Sequence, residues 1–334
     1  MLAGTAFAGN PDRQGEAGAN QLLINPWART AGLHAMNTSL ISGTDAMFLN
    51  VAGLARINKT QINLGHTRYF DGAEININAL GFGQRLGKSG AFGISLMSMD
   101  LGDFDLTTVN TPEGSGATFS PSFFNLGISY SHLFVNRVSV GFTVKFVTES
   151  VANAGANALA LDAGVQYVTG PNDNFKFGIS LRNIGGKMKF TGEGLSQPRT
   201  GPSPTFEYPI TYYQRTAEYE LPSQLNIGAS YDWLIGKSNR LTVLGNFTSN
   251  AFSRDLIGGG VEFALGKLFA LRAGYKKEFS SSGIEASLDN GISAGFSIST
   301  AFKKGSDTRL SIDYGYRQTD VFKGIHNIGL RIDM

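Results

Sequence analysis

The sequence contains no cysteine, so a disulfide framework, a thiol nucleophile and a zinc–cysteine cluster are excluded. It also lacks any run of 18 or more apolar residues, and a protein that crosses a membrane with helices is therefore not expected. A formal net charge of +2 gives no long-range electrostatic reason to bind nucleic acid, and no nucleic-acid partner is expected. The mean hydropathy of −0.06 suits a soluble protein, but a transmembrane β-barrel escapes this test because half of its strand residues face a polar lumen.

Strict alternation is the dominant pattern, and it is clearest over residues 123–149. Apolar and aromatic side chains occupy every second position of residues 124–134 and again of residues 138–146, with polar residues and glycine between most of them. A period of two places the two sets on opposite faces of a β-strand. Each run lasts roughly a dozen residues, whereas strands of soluble sheets have about five or six and tilted membrane-crossing strands need about nine to eleven. The pattern therefore predicts a hairpin of an outer-membrane barrel.

The same alternation continues to the end of the chain and predicts an all-β fold, an antiparallel transmembrane barrel of about fourteen strands. An even number of strands returns the chain to the end of the barrel where it began. The predicted strands are residues 60–68, 73–86, 90–99, 122–134, 137–149, 157–169, 174–183, 222–234, 240–250, 255–265, 268–279, 290–302, 307–318 and 322–333.

The connections between these strands fall into two classes that alternate along the chain. One class is short throughout, and the other contains all the long connections, at residues 100–121, 150–156, 184–221 and 280–289. Bacterial barrels have short periplasmic turns and longer extracellular loops. The sequence thus predicts an outer-membrane protein of a Gram-negative bacterium with both termini in the periplasm and the long loops outside the cell.

Charged residues on the inward-facing register include both signs, so they are expected to pair inside the barrel rather than to form a selectivity ring. Glycine is also abundant, with 43 residues, nearly twice the usual share. Within barrel strands, glycines mark bends and crowded interiors. The predicted inward-facing charged residues are Lys145, Asp162, Lys176, Arg182, Glu262, Arg272, Lys276, Asp313, Arg317 and Arg331.

The N-terminal part of the chain does not alternate and is predicted to comprise three segments before the barrel at residues 59–334. Residues 1–8 end in an Ala-Phe-Ala cleavage pattern and are interpreted as a signal-peptide remnant; a disordered alanine-rich terminus is the alternative. Residues 9–21 are predicted to be flexible. Residues 22–58 are too apolar for a solvated tail, and we interpret them as a partly helical hatch inside the lumen rather than a cap on the periplasmic end.

Residues 45–55 read Asp-Ala-Met-Phe-Leu-Asn-Val-Ala-Gly-Leu-Ala, which resembles the Asn-Pro-Ala-Gly-Leu-Ala element of the FadL superfamily of outer-membrane proteins. Val51 stands where proline is usual. Residues 22–32 are similar to the corresponding stretch of the PorV-like members, subunits of the Bacteroidetes type IX secretion system. The hatch residues that carry the resemblance are Pro26, Trp27, Asn50, Gly53 and Leu54.

The resemblance implies a carrier in protein secretion. PorV-like proteins collect secreted proteins with C-terminal signal domains from a giant translocon β-barrel and pass them to a sortase-like surface protease, while embedded in outer-membrane lipid. The partner-binding surface would then be the extracellular loops, where aromatic residues favour interfaces; alternatively these aromatics fold the loop over the barrel mouth. The candidate residues are Arg199, Phe206, Tyr208, Tyr212 and Tyr213 in the longest loop, and Phe104 and Phe119 in the loop at residues 100–121.

Two other classes of function are weighed against this carrier. A FadL-type channel for long-chain fatty acids or other hydrophobic small molecules would need an apolar pocket beneath the loops, which Met97, Met99 and Phe123 could line. An outer-membrane enzyme is not expected, because the four histidines are scattered and neither a nucleophile elbow nor a metal-spaced pair is present. No catalytic residue, metal site or cofactor is predicted.

Overall fold

Fourteen long antiparallel strands close into one barrel, which confirms the predicted fold. The computed structural model describes residues 11–70, 72–135, 137–201, 208–236, 238–279, 290–302, 307–319 and 322–334. Strands β4, β5, β10 and β11 lie outside the barrel, and the barrel closes where β1 pairs with β18. In chain order the strands are β1 Thr60–Tyr69, β2 Ile75–Leu86, β3 Gly90–Asp100, β4 Phe104–Asp105, β5 Thr118–Phe119, β6 Ser122–Phe134, β7 Val138–Val151, β8 Ala154–Thr169, β9 Phe175–Gly185, β10 Ser196–Thr200, β11 Pro209–Tyr213, β12 Gln224–Ile235, β13 Asn239–Asn250, β14 Leu256–Leu265, β15 Phe269–Glu278, β16 Gly291–Ala301, β17 Arg309–Arg317 and β18 Ile325–Asp333.

The outward faces of the barrel strands carry many exposed apolar residues, as the alternation predicts. On β7, Phe142 is 53% exposed, whereas its neighbour Thr143 is fully buried and faces the lumen. Aromatic side chains are exposed near one end of the barrel, where an interfacial girdle is expected. These are Phe134, Tyr167, Tyr231, Trp233 and Phe302. No helix in the described part of the chain is long and apolar enough to span a membrane.

The two ends of the barrel differ in their connections. We call the end that carries Met334 the turn end and the opposite one the loop end. One predicted long connection, residues 150–156, is wrong: β7 runs to Val151 and β8 begins at Ala154. The turn between them is therefore tight, with Ala152 in the left-handed region at φ 48°. The ends of β7 and β8 extend beyond the apolar band. Because their residues are small and polar, alternation does not reveal these strand ends. The predicted long connection at 280–289 lies outside the described residues.

Within the segment interpreted as a hatch, residues 22–58, the chain packs against the inner wall of the barrel. Its backbone packs on inward-facing glycines of strands on different sides of the barrel: Val51 on Gly141, Thr38 on Gly178 and Gly32 on Gly295. Its helices are short, and two of them lie where the sequence indicates short helical turns, around residues 28–35 and 45–49. They are the α-helices α1 Ala28–Ala31 and α2 Ala46–Leu49 and the 3-10 helix Val51–Arg56; further 3-10 helices lie at Pro11–Arg13, Asn20–Leu23 and Glu193–Leu195.

The described chain begins at the loop end and descends through the lumen to β1. Ala17 forms a parallel bridge with Glu220, and the backbone N–H of Gly18 donates to the carbonyl of Glu220 at 3.0 Å. The C-terminus lies at the other end, where the N–H of Met334 donates to Thr60. Residues 1–8, the predicted signal-peptide remnant, are outside the described residues, so the periplasmic location predicted for the N-terminus stays a prediction.

Candidate functional site in the lumen

The motif around Asn50 anchors the hatch to the barrel wall. The Asn50 amide donates to the carbonyls of Thr38 at 3.0 Å and Val165 at 3.1 Å, and its oxygen accepts from the N–H of Ala52 at 3.2 Å. Asn50 therefore caps the 3-10 helix, joins two parts of the hatch and holds both against β8. Asparagine suits this position because its side chain both donates and accepts.

Gly53 and Leu54 allow the hatch to pack tightly around this anchor. A Cβ on Gly53 would lie 2.1 Å from the carbonyl oxygen of Ile41, so no larger residue fits without a shift. Leu54 is fully buried and packs with Met47, Ile57 and Ala91. Both predicted motif residues thus serve close packing in the hatch.

Pro26 and Trp27 hold the other end of the hatch against β1 and β2. The Asn25 side chain accepts from the N–H of Trp27 and donates to its carbonyl, both at 3.1 Å. The Trp27 ring lies near Gly65 and Gly81 of the wall and is only 3% exposed. The ring therefore fills the space that these glycines leave inside the barrel.

Next to Trp27 the lumen wall is apolar. The structure brings together Met97, Met99 and Phe123, the three residues that could line a channel pocket, in one cluster around Ile77. A small cavity of about 40 Å³ separates this wall from the hatch and reaches Met97 but not Met99 or Phe123. We call this region the apolar sector. The cavity's main apolar lining is Leu22, Pro26, Trp27, Met47, Phe48, Leu96 and Met97.

Elsewhere the lumen wall carries paired charges, and this part we call the ionic sector. Most of the predicted inward-facing charges are in ion pairs, which supports pairing over a selectivity ring. Glu262 lies between two arginines, with Arg272 at 2.7 Å and Arg240 at 2.5 Å. Further pairs include Lys176–Asp232 at 2.5 Å, Arg331–Asp313 at 3.8 Å and Lys145–Asp162 at 2.8 Å, whose lysine also borders the cavity of the apolar sector.

Arg182 connects the ionic sector to the hatch. Its guanidinium lies 4.1 Å from the centre of the Phe48 ring and donates to the carbonyl of Leu22 at 3.0 Å. The strand register shifts here, opposite Asp162, and Asn183 adopts a positive φ of 59°. Such a β-bulge redirects side chains, and nothing in the alternating pattern marks it.

The predicted loop residues lie on two hairpins at the loop end. Arg199 is on β10, and Tyr212 and Tyr213 are on its partner β11, with Tyr208 just before it. These tyrosines are about half exposed. Phe104 and Phe119 pair across β4 and β5, with ring centroids 5.7 Å apart. Phe206 lies outside the described residues.

A contact at the base of the longest loop was not predicted. Tyr219 donates to Glu149 at 2.5 Å, and Gln21 donates to the other oxygen of the same carboxylate at 2.9 Å. Burial and the hydrogen bond to Glu149 raise the pKa of Tyr219. The contact joins loop, wall and N-terminal segment, and its members are too far apart in sequence to form a motif.

Comparison with known proteins identifies the fold. The sequence matches no family model and no curated protein. Among solved structures, the Pseudomonas putida toluene transporter TodX is 15% identical with a TM-score of 0.55, covering 92% of this chain and 96% of TodX. The Ralstonia pickettii toluene transporter TbuX is 11% identical with a TM-score of 0.54, over 92% and 97%. A Pseudomonas aeruginosa FadL homologue is 11% identical with a TM-score of 0.51, covering 92% of this chain and 97% of the homologue. At these identities the likeness shows the FadL-like fold alone.

Proposed function

We propose that this chain is an outer-membrane channel for hydrophobic small molecules and that its hatch is the gate. The observation that carries the proposal is the apolar sector, where Met97, Trp27 and Phe48 line one cavity together, with Lys145 as the charged residue among its described lining. Ligand sites are typically concave and mostly apolar, with a few placed polar groups. Toluene transporters of similar fold indicate the ligand class.

The present arrangement is closed to such a ligand. The cavity of about 40 Å³ has room for roughly one water molecule, whereas an apolar cavity that binds benzene measures about 150 Å³. Trp27 and Phe48 belong to the hatch and Met97 to the wall, so moving the hatch away from the wall enlarges the cavity. Binding and gating are therefore coupled: the ligand occupies the space that the hatch vacates.

The test is uptake of toluene and of oleate by proteoliposomes that contain the full-length protein. Met97→Gln places an amide in the apolar sector, and Leu244→Gln is the matched control, because Leu244 is buried against the hatch at Leu33 and Met36 in another part of the lumen. An unsatisfied buried amide is costly, so we expect Met97→Gln to lower ligand affinity about tenfold. Leu244→Gln should change affinity by less than about twofold. No uptake by the wild type, or equal losses in both variants, would overturn the proposal.

A second candidate, the type IX carrier, is favoured by the exposed β10–β11 hairpin. Tyr208, Tyr212 and Tyr213 are 45%, 53% and 51% exposed, and clustered exposed tyrosines suit a protein interface. The secretion partners themselves rest on the sequence resemblance.

Affinity purification from the native membrane in mild detergent tests this carrier. Recovery of a very large barrel protein, or of secreted proteins with C-terminal signal domains, would support it. A Tyr212→Ser/Tyr213→Ser variant should lose these partners while a Val109→Ser variant, on the other loop and fully exposed, keeps them. Recovery of the protein alone would count against the carrier.

A further inference from the structure

A second and larger cavity lies at the turn end of the lumen, between the hatch and the ionic sector. Its volume is about 530 Å³, more than ten times that of the cavity in the apolar sector. Its charged lining comprises seven cations and three acids. They are Arg29, Arg56, Lys176, Arg240, Lys267, Arg272 and Arg331, with Asp173, Asp232 and Glu262.

Most of these cations have an acidic partner in the wall or hatch. Arg29 pairs with Asp45 at 2.9 Å, a carboxylate that lies outside the cavity lining. The others are paired within the ionic sector, Lys176 with Asp232, Arg240 and Arg272 with Glu262, and Arg331 with Asp313 and Asp333. These pairs set five cations against five carboxylates, so their charges balance.

Two of the seven cations, Lys267 and Arg56, form no ion pair among the described residues, and of the two Arg56 is the more buried. It ends the 3-10 helix Val51–Arg56 and lines both this cavity and an adjoining one of about 300 Å³. Its Nε and one terminal nitrogen are buried without a hydrogen-bond partner among the described residues. Burial lowers the pKa of Arg56, an effect that the charge of Asp173 opposes.

An unsatisfied buried guanidinium is costly, because it has lost its hydration without gaining hydrogen bonds in exchange. Arg56 lines the cavity, and the planar fork of a guanidinium matches the two oxygens of a carboxylate or phosphate. A neutral ligand would leave the charge uncompensated, and a cation would be repelled by it.

We propose that the turn-end cavity binds a small oxyanion, a phosphate or carboxylate group, through the guanidinium of Arg56. Lys267, on the turn after β14, adds positive charge at the rim of the same cavity. The site is separate from the apolar sector, so it adds a binding activity beyond the proposed channel. The oxyanion can belong to a free solute or to the headgroup of a lipid at the membrane edge.

The experiment uses the full-length protein in neutral detergent, titrated with inorganic phosphate at constant ionic strength. Arg56→Gln removes the charge, and Arg137→Gln, at an exposed turn on the same end and outside the cavity lining, is the control. One charge-assisted bidentate contact supports a loss of about tenfold in phosphate affinity for Arg56→Gln. Arg137→Gln should stay within about twofold of the wild type, and Arg56→Lys should retain intermediate affinity.

A second arm replaces free phosphate with phosphatidylglycerol in mixed micelles. Binding that depends on Arg56 in the first arm identifies a free solute as an occupant, and dependence in the second arm alone identifies a lipid headgroup. In either case the ligand-free Arg56→Gln protein should resist urea at least as well as the wild type, because the substitution removes an unsatisfied charge. If neither probe shows dependence on Arg56, or if Arg56→Gln unfolds more easily without ligand, the proposal is wrong.

Discussion

The two sectors of the lumen wall differ in chemistry although their strands share one outward pattern. In the apolar sector, Ile77, Met97 and Met99 face the hatch; in the ionic sector, Glu262 and Arg272 occupy equivalent inward positions on paired strands. The outward faces of both carry exposed apolar side chains, such as Leu80 on β2 and Leu271 on β15. The difference teaches that the membrane constrains only one face of each strand. The inward face can differ from sector to sector, and we assign the proposed binding functions to inward-facing residues.

Loss of Glu262 should cause the largest destabilisation, because the ionic sector depends on buried charges that compensate each other. Glu262→Leu leaves Arg240 and Arg272 without their shared partner. Breaking a buried pair on one side costs about 3 kcal/mol or more, and the double variant Glu262→Leu/Arg272→Leu should recover part of that loss. Urea unfolding of the refolded protein in lipid measures both.

The control for that comparison is Glu113→Leu, at an exposed position of a loop, which should leave the unfolding midpoint unchanged. If Glu262→Leu also left the unfolding midpoint unchanged, charge pairing would not stabilise the ionic sector. The two sectors would then differ in residue type but not in their contribution to stability.

Gly53→Ala tests the hatch, which contacts both sectors. The added methyl group would overlap the Ile41 carbonyl, and overpacking costs about 1–3 kcal/mol. Gly186→Ala is the matched control, since a Cβ there meets no atom within 4 Å. Hydrogen exchange should accelerate across the hatch in the first variant and stay unchanged in the second. Equal exchange in both would show that the hatch is loosely packed.

Asn50→Ala should release the hatch from β8 with a smaller effect. Loss of a helix cap costs about 1 kcal/mol, and the bond to the Val165 carbonyl is lost with it. Uptake of toluene should become faster, because the open arrangement is favoured. Asn58→Ala, at an exposed position just after the hatch, should leave uptake unchanged, and slower uptake by Asn50→Ala would contradict a gating role.

Tyr219→Phe should have the smallest effect, at the base of the loop. The raised pKa of Tyr219 means that folding favours the neutral phenol. The stabilisation is therefore complete below the unfolded pKa of about 10 and declines as pH rises further. As the pH rises above about 10, the wild type should therefore lose its stability advantage over Tyr219→Phe. A constant difference across this range, in unfolding midpoints measured at each pH, would exclude the Tyr219–Glu149 bond as its cause.

The barrel could be predicted because the membrane imposes a local signal, period-two alternation, that short windows of sequence reveal. The hatch motif could be located because Asn50, Gly53 and Leu54 are close in sequence. The bulge at Asn183, the position of Arg56 in the turn-end cavity and the Tyr219–Glu149 bond were not predicted. Each depends on residues that only the closed barrel brings together, and the turn at Ala152 was hidden by its small and polar neighbours.

The most direct test of the channel is to lock its hatch. The hydroxyls of Ser39 in the hatch and Ser230 on β12 are 3.0 Å apart, and the chain has no cysteine of its own. Ser39→Cys/Ser230→Cys therefore introduces one defined crosslink, with each single variant as a control. We expect oxidation to stop toluene uptake by proteoliposomes, reduction to restore it, and neither treatment to affect the single variants. Unchanged uptake by the fully crosslinked protein would contradict the hatch as the gate.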